Sequence, residues 1–159
     1  MNAITDLLNQ SFNTGFASEV TIYPKGDYAL RVKQTDDAVT VRSGVNKNGD
    51  PYIMLGLQCV VFECGQQTLE ALGEHMGYNA DDMTFRTSLY IPTDANYIPL
   101  RGKNKNIQFG KLLSAVKQNN VQNWNYNHLK GASFIAELGE KAGQNGLMEN
   151  NLVAFREYK

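Results

Sequence analysis

Residues 26–62, GDYALRVKQTDDAVTVRSGVNKNGDPYIMLGLQCVVF, restrict the fold more than any other stretch of the chain. Two runs rich in alternating and β-branched residues flank the polar segment Asn46-Lys47-Asn48-Gly49-Asp50, the pattern of a long β-hairpin. A two-residue type I′ turn on Asn48-Gly49 pairs Lys47 with Asp50, setting Val39 and Val41 opposite Gln58 and Gly56. A three-residue loop, with Gly49 left-handed in a G1 bulge, pairs Asn46 with Asp50 instead. Val41 then faces Leu55 and Val39 faces Leu57. A one-residue slip moves every side chain to the opposite face, so the apolar pattern selects the three-residue loop. Val39, Val41, Ile53, Leu55, Leu57, Cys59 and Val61 are therefore expected inside. Thr40, Arg42, Tyr52, Met54 and Gln58 are expected outside, with Gly56 among them. A glycine within a strand marks a bend or a close approach to the backbone.

The other elements follow in order. Ile4, Leu7, Leu8 and Phe12 have helical spacing and predict a short amphipathic arm. Val20 to Tyr23 predicts a strand stopped by Pro24. Tyr28, Leu30 and Val32 alternate inward on the first long strand, and their parity disagrees with that of Val39 and Val41. The Asp36-Asp37 pair between them predicts a bulge or kink. Gln66 to Met76 reads as a short helix with Leu69, Leu72 and Met76 on one side. Thr84 to Ile91 reads as a strand with Phe85, Thr87, Leu89 and Ile91 on one face and Arg86, Ser88 and Tyr90 on the other. A helix is predicted from Asn106 to Lys117, where Phe109, Leu112, Leu113 and Val116 form a buried stripe. An Asn/Gln-rich link leads to a last strand pair. Phe134, Ala136 and Leu138 alternate on its first member, and its turn contains Gln144-Asn145-Gly146.

At 159 residues, 42% hydrophobic and 19% charged, the chain is expected to be one globular domain spanning 1–159. Residues 1–19 would form the arm and residues 63–83 an acidic insertion between the second and third strands. No apolar run approaches the ~18 residues of a membrane span, so no membrane association is expected. The N-terminus, MNAITDLLNQSF, lacks the basic and long apolar regions of a signal peptide. On one extended strand the Cα atoms of Cys59 and Cys64 lie ~16 Å apart, beyond disulfide reach. Free thiols without an export signal suit a reducing cytoplasm.

The net charge of −1 hides a partition. Residues 63–85 carry five acids (Glu63, Glu70, Glu74, Asp81, Asp82) and no lysine or arginine. Residues 86–117 carry six bases (Arg86, Arg101, Lys103, Lys105, Lys111, Lys117) against Asp94 alone. Local fields of this kind steer partners even when the total charge is near zero. The alternative is that the two segments face and neutralise each other.

Strand, strand, strand, helix, strand, strand is the order of an OB-fold, a mainly β, five-stranded Greek-key barrel with one helix between strands 3 and 4. The acidic segment adds a short helical insertion. Gly26-x-Tyr28 opens the first strand, and an Asn-Gly-x-Pro turn precedes the aliphatic second strand. Leu129-x-Gly131, with Phe134 and Glu137, opens the fourth, and Asn151-x-Val153-x-Phe155 closes the fifth. On these residues the chain resembles the phage-type single-stranded-DNA-binding proteins. The resemblance implies sequence-nonspecific binding and protection of single-stranded DNA in DNA replication, recombination or repair, in the host cytoplasm. Replication or recombination proteins would be its partners, and no cofactor would be needed. RNA binding and self-association stay open.

Single-strand binders line a groove with cations for phosphates and aromatic faces for bases. Arg42, Tyr52 and Met54 from the hairpin, with Arg86 and Tyr90 from the third strand, are the first candidates, flanked by Lys47 in the loop. The alternative for each tyrosine is ordinary packing on a half-exposed sheet. Arg101, Lys103 and Lys105 alternate with Gly102, Asn104 and Asn106, and an extended conformation would aim them one way as a ladder of cations. Trp124 and Tyr126, set among asparagines, can stack bases or anchor the link. A second functional class is a protein-interaction module, such as a virion component or host-factor inhibitor, docking through acidic residues 63–85.

Enzymatic chemistry finds no support. His75 and His128 lack zinc-ligand spacing, and there is no Walker loop, G-x-S-x-G or dinucleotide fingerprint. Asp36-Asp37 and Asp81-Asp82 read as turn formers or caps before metal ligands. Neither catalysis nor a metal is expected.

Overall fold

A computed structural model describes residues 7–11, 21–79 and 83–159. The elements are β1 (Gly26–Val32), β2 (Val39–Val45), β3 (Pro51–Cys64), α1 (Leu69–Met76), β4 (Thr84–Pro92), α2 (Ile107–Ala115), a 3-10 turn (Tyr126–Leu129), β5 (Ser133–Ala142) and β6 (Met148–Glu157). All six strands join one antiparallel sheet, in the order β2-β3-β1-β5-β6, with β4 on the other edge of β3. The sequence led us to expect five strands. The sixth arises because the first long strand divides at the Asp36-Asp37 kink.

That division is local. Thr35 Oγ1 donates to Asp37 Oδ1 at 2.8 Å, and the Ala38 N–H donates to the Thr35 carbonyl at 3.1 Å, closing a turn. The backbone of Gln58 spans the break, bonding the Lys33 N–H at 2.9 Å and the Ala38 carbonyl at 2.8 Å. β1 and β2 thus run along the same edge of β3, one after the other. Residues 34–37 loop outward, which changes the parity as the sequence predicted.

The hairpin register is the three-residue one. Val39 pairs with Leu57, Val41 with Leu55 and Arg42 with Met54. The Asn46 N–H donates to the Asp50 carbonyl at 2.9 Å, and Gly49, at φ +85°, closes the loop with its N–H on the Asn46 carbonyl. Only glycine adopts that conformation without steric cost. The expectation that Val41 is inside needs correction: it shares the inner face with Leu55 but is 42% exposed, and Val45 is 57% exposed. β2 runs past the elements that cover the inner face, so alternation sets its side but not its burial.

The core lies between the inner face of the sheet and the helices. Leu30, Leu55, Phe134 and Leu138 meet Leu72 of α1 and Phe109 and Leu112 of α2 there. α1 starts later than expected, at an N-cap where Thr68 accepts from the Ala71 N–H. α2 is shorter than predicted at both ends but keeps its stripe. Among the described residues no ladder joins β4 to β6, so the sheet is open, and α2 lies against both strands. No described helix is long and apolar enough to cross a membrane.

Tyr23 departs from the predicted strand. It is 4% exposed, yet residues 21–24 form no strand, and Val20 lies outside the described residues. The side-chain amide of Asn150 takes the place of a ladder, donating to the Tyr23 carbonyl at 2.7 Å and accepting from its N–H at 2.8 Å. The predicted arm is likewise only partly visible: Ile4 and Phe12 lie outside the described residues, while Leu7 and Leu8 are exposed.

Burial pushes the Cys59 thiol from 9.0 up to about 12, and the Tyr23 and Tyr28 hydroxyls from 10.0 up to about 12. The folded chain therefore holds protons that the unfolded chain releases. The associated stability is complete below pH 9.0 and is lost as pH rises towards about 12. The urea-unfolding midpoint should fall across that window, and Cys59→Val should flatten the early part of the fall. A midpoint unchanged up to pH 12 would contradict the assignment.

Candidate nucleic-acid interface

Strands β2, β3 and β4 form a meander whose outer face is set by register. Opposed residues in antiparallel strands share a face, so the rows across it are Gly44–Tyr52–Pro92, Arg42–Met54–Tyr90, Thr40–Gly56–Ser88 and Gln58–Arg86. The five first candidates from the sequence, Arg42, Tyr52, Met54, Arg86 and Tyr90, therefore lie on one face. The long polar and aromatic side chains point away from a core filled by Ile53, Leu55 and Leu57 on the other parity.

The rings form a defined pair. Tyr52 and Tyr90 are diagonal neighbours with centroids 4.8 Å apart and planes 29° apart, in stacked geometry. Tyr52 lies across Gly44, where an added Cβ would stand 2.6 Å from its hydroxyl oxygen. Gly56 is approached in the same way by Thr40 Oγ1 from the neighbouring strand. Tyr90 is the more open ring, at 47% exposure.

Asn46 organises this end of the sheet, a role the sequence reading did not give it. Its Oδ1 accepts from the Asn48 and Asp50 N–H groups at 2.9 and 3.0 Å, and its Nδ2 donates to the Tyr90 hydroxyl at 3.1 Å. One side chain thus fixes both the loop and the ring. The available signal was an asparagine at the first position of a turn, where such side chains bond the backbone two residues on.

Arg42, Lys47 and Arg86 are exposed, and none of them forms a salt bridge among the described residues. Asp37 stands beside the platform. The Thr35 hydroxyl bonded to its carboxylate holds it below the usual carboxylate range, with lesser contributions from Gln58 and the Arg86 charge. Arg86 and the Asp37 carboxylate therefore lie within each other's field.

Arg101, Lys103 and Lys105 are exposed, but they do not form the extended ladder. Gly102, Asn104 and Asn106 all have positive φ (119°, 63° and 51°), so the segment is a tight turn. Its base is fastened beside Tyr52: the Thr93 N–H donates to the Pro51 carbonyl at 3.2 Å, and Asn106 Nδ2 bonds the Pro92 and Leu100 carbonyls at 3.0 and 2.9 Å. The three exposed cations sit on a turn tied back to the end of β4.

Trp124 and Tyr126 are anchors. Both are half-buried against Phe109 of α2, with centroid distances of 5.8 and 6.2 Å, and the Trp124 indole N–H donates to Gln118 Oε1 at 2.7 Å. Burial raises the Tyr126 hydroxyl above its ordinary pKa. Neither ring joins the β2–β3–β4 outer face.

The acidic and basic segments do not neutralise each other through ion pairs among the described residues. The pairs there are Lys117–Glu157, Lys141–Glu149 and Arg156–Asp27. Glu63 accepts from Tyr158, Glu70 and Glu74 are exposed on α1, and Asp81 and Asp82 lie outside the described residues. The outer face is an open surface with cations and ring faces, suited to an extended polyanion carrying flat groups. No family model matches the chain, and no curated protein matches it.

Proposed function

We propose that this protein binds single-stranded DNA with little sequence preference, on the outer face of β2, β3 and β4. The finer fold reading belongs to the same proposal: an OB-like barrel in which β1 and β2 act as one bent strand and α2 fills the gap between β4 and β6. The supporting observation is the meeting of Tyr52, Tyr90 and Met54 with Arg42 and Arg86 on one three-stranded surface. Every base has a π-face, so stacking tolerates sequence, and arginines follow phosphates without reading bases. Duplex DNA hides its base faces in its own stack and would gain only the phosphate contacts. Such a protein would shield single strands during replication, recombination or repair.

A titration with an oligo-dT of about thirty nucleotides, roughly twice the largest single-domain site, tests the proposal. Tyrosine fluorescence reports binding at several salt concentrations. Affinity should fall as salt rises, with the same slope for mixed sequences, and duplex should bind much more weakly. Arg42→Ala or Arg86→Ala should each reduce the slope of log K against log salt by about 0.7, the single-strand value for one phosphate contact. Absence of binding at low salt would refute the proposal, and equal binding to RNA would widen the ligand class.

A further inference from the structure

The outer face continues along β3 beyond the platform. Gln58, Val60 and Phe62 keep the parity of Tyr52 and Met54, and β1 takes over from β2 as their neighbour. There Arg31, paired with Val60, lies over the Phe62 ring at 4.6 Å from its centroid. Phe62 in turn meets Tyr158 edge-on, with centroids 5.0 Å apart. The cation is held in place: its Nε donates to Ser133 Oγ at 3.3 Å. Tyr158 is also fixed, its hydroxyl donating to Glu63 Oε1 at 2.6 Å.

We propose that Arg31, Phe62 and Tyr158 form a second station for the same single strand, Arg31 taking a phosphate and the Phe62–Tyr158 shelf a base. This rests on the function proposed above and extends it from a patch to a track. Arg31 is exposed and forms no salt bridge among the described residues, while the nearby Asp27 carboxylate is engaged by Arg156 and that of Glu63 by Tyr158. A guanidinium already seated on a ring loses little freedom on binding and keeps its outer N–H groups for an anion. Arg42, Arg86 and Arg31 occur in that order along β3, at the rows of Met54, Gln58 and Val60. They therefore mark a path from one aromatic pair to the other.

The length of the path makes the proposal testable. Tyr52 and Phe62 are ten residues apart on one strand, ~33 Å along it at ~3.3 Å per residue. A stacked strand at ~3.4 Å per nucleotide needs about ten nucleotides to cover that span, and a more extended one needs fewer. An oligo-dT of about four nucleotides reaches one station, and one of about sixteen reaches both; these are the ends of the single-domain range.

The long oligomer should bind the parent protein more tightly than the short one. Arg31→Ala should lower the salt slope of the long oligomer by about 0.7 and leave the short one unchanged. Tyr158→Ala should weaken the long oligomer roughly fivefold or more with its slope kept, the lower end of a lost stacked base. Lys111→Ala, which removes an exposed charge from α2, is the control and should alter neither. If both lengths bind the parent equally, or Arg31→Ala matches Lys111→Ala, the second station is overturned while the platform stands. If the parent binds neither length, the underlying function falls.

Discussion

Tyr90→Ala should weaken oligo-dT binding by about 1–3 kcal/mol, roughly five- to 150-fold, with the salt slope unchanged. The size follows from the loss of one stacked base, and the constant slope from the lack of charge on the ring. Tyr90 offers the larger open surface and Tyr52 lies against it, so the two substitutions should not add. Removing Tyr52 leaves Tyr90 without its neighbour, and a double-mutant cycle should show coupling on the order of 0.5–3 kcal/mol, the range for residues in contact. Tyr90→Phe keeps the ring and loses the bond from Asn46, so its binding should stay close to that of the parent. Titration of the parent, the two alanine variants, their double variant and Tyr90→Phe at several salt concentrations decides the matter. If Tyr90→Ala and Tyr52→Ala both bind like the parent, the tyrosine pair is sheet packing and the platform is elsewhere.

Phe134→Ala carries the largest expected cost to folding, about 3–5 kcal/mol, the range for removing a buried aromatic ring. Phe134 is fully buried, sits opposite Leu30 across the β1–β5 ladder, and meets Phe155 edge-on at 5.6 Å. It belongs to the buried core cluster that also holds Phe109 and Leu112 of α2. At about 2–4 °C per kcal/mol for a domain of this size, the melting midpoint should drop on the order of ten degrees. Phe134→Leu should lose much less. Urea unfolding of the three proteins gives the comparison, and a loss below about 1 kcal/mol for alanine would mean that the site collapses easily or is not packed as described.

The parts of the platform legible in the sequence were those governed by local chemistry. Gly49 needed a left-handed loop position, and that position fixed the pairing of Arg42 with Met54 without help from any contact with β4. Alternation in Thr84–Ile91 then placed Arg86 and Tyr90 on the same side. What stayed hidden depended on neighbours distant in the chain. Alternation assigns Val41 a face but does not say what covers it. Trp124 among asparagines gave no sign that Phe109 would receive it. The Arg101–Lys105 segment reads as a ladder only if extended, and the asparagines at 104 and 106, which tolerate positive φ better than most residues, were the overlooked hint. Arg31 was simply an outward residue until the β1–β3 pairing, with its register shift between Ala29 and Leu30, brought it over Phe62.

Gly44 carries no side chain, yet it governs the attitude of the ring above it. Tyr52 reclines across the next strand because residue 44 has no β-carbon to prop it upright. Two strands can therefore be spanned by one tilted ring, and the surface is low and smooth where it would otherwise be ridged. The contour of the platform is written partly in an omitted methyl group. A survey of contacting side chains would pass over that position, although any substitution there would push the Tyr52 ring from its place.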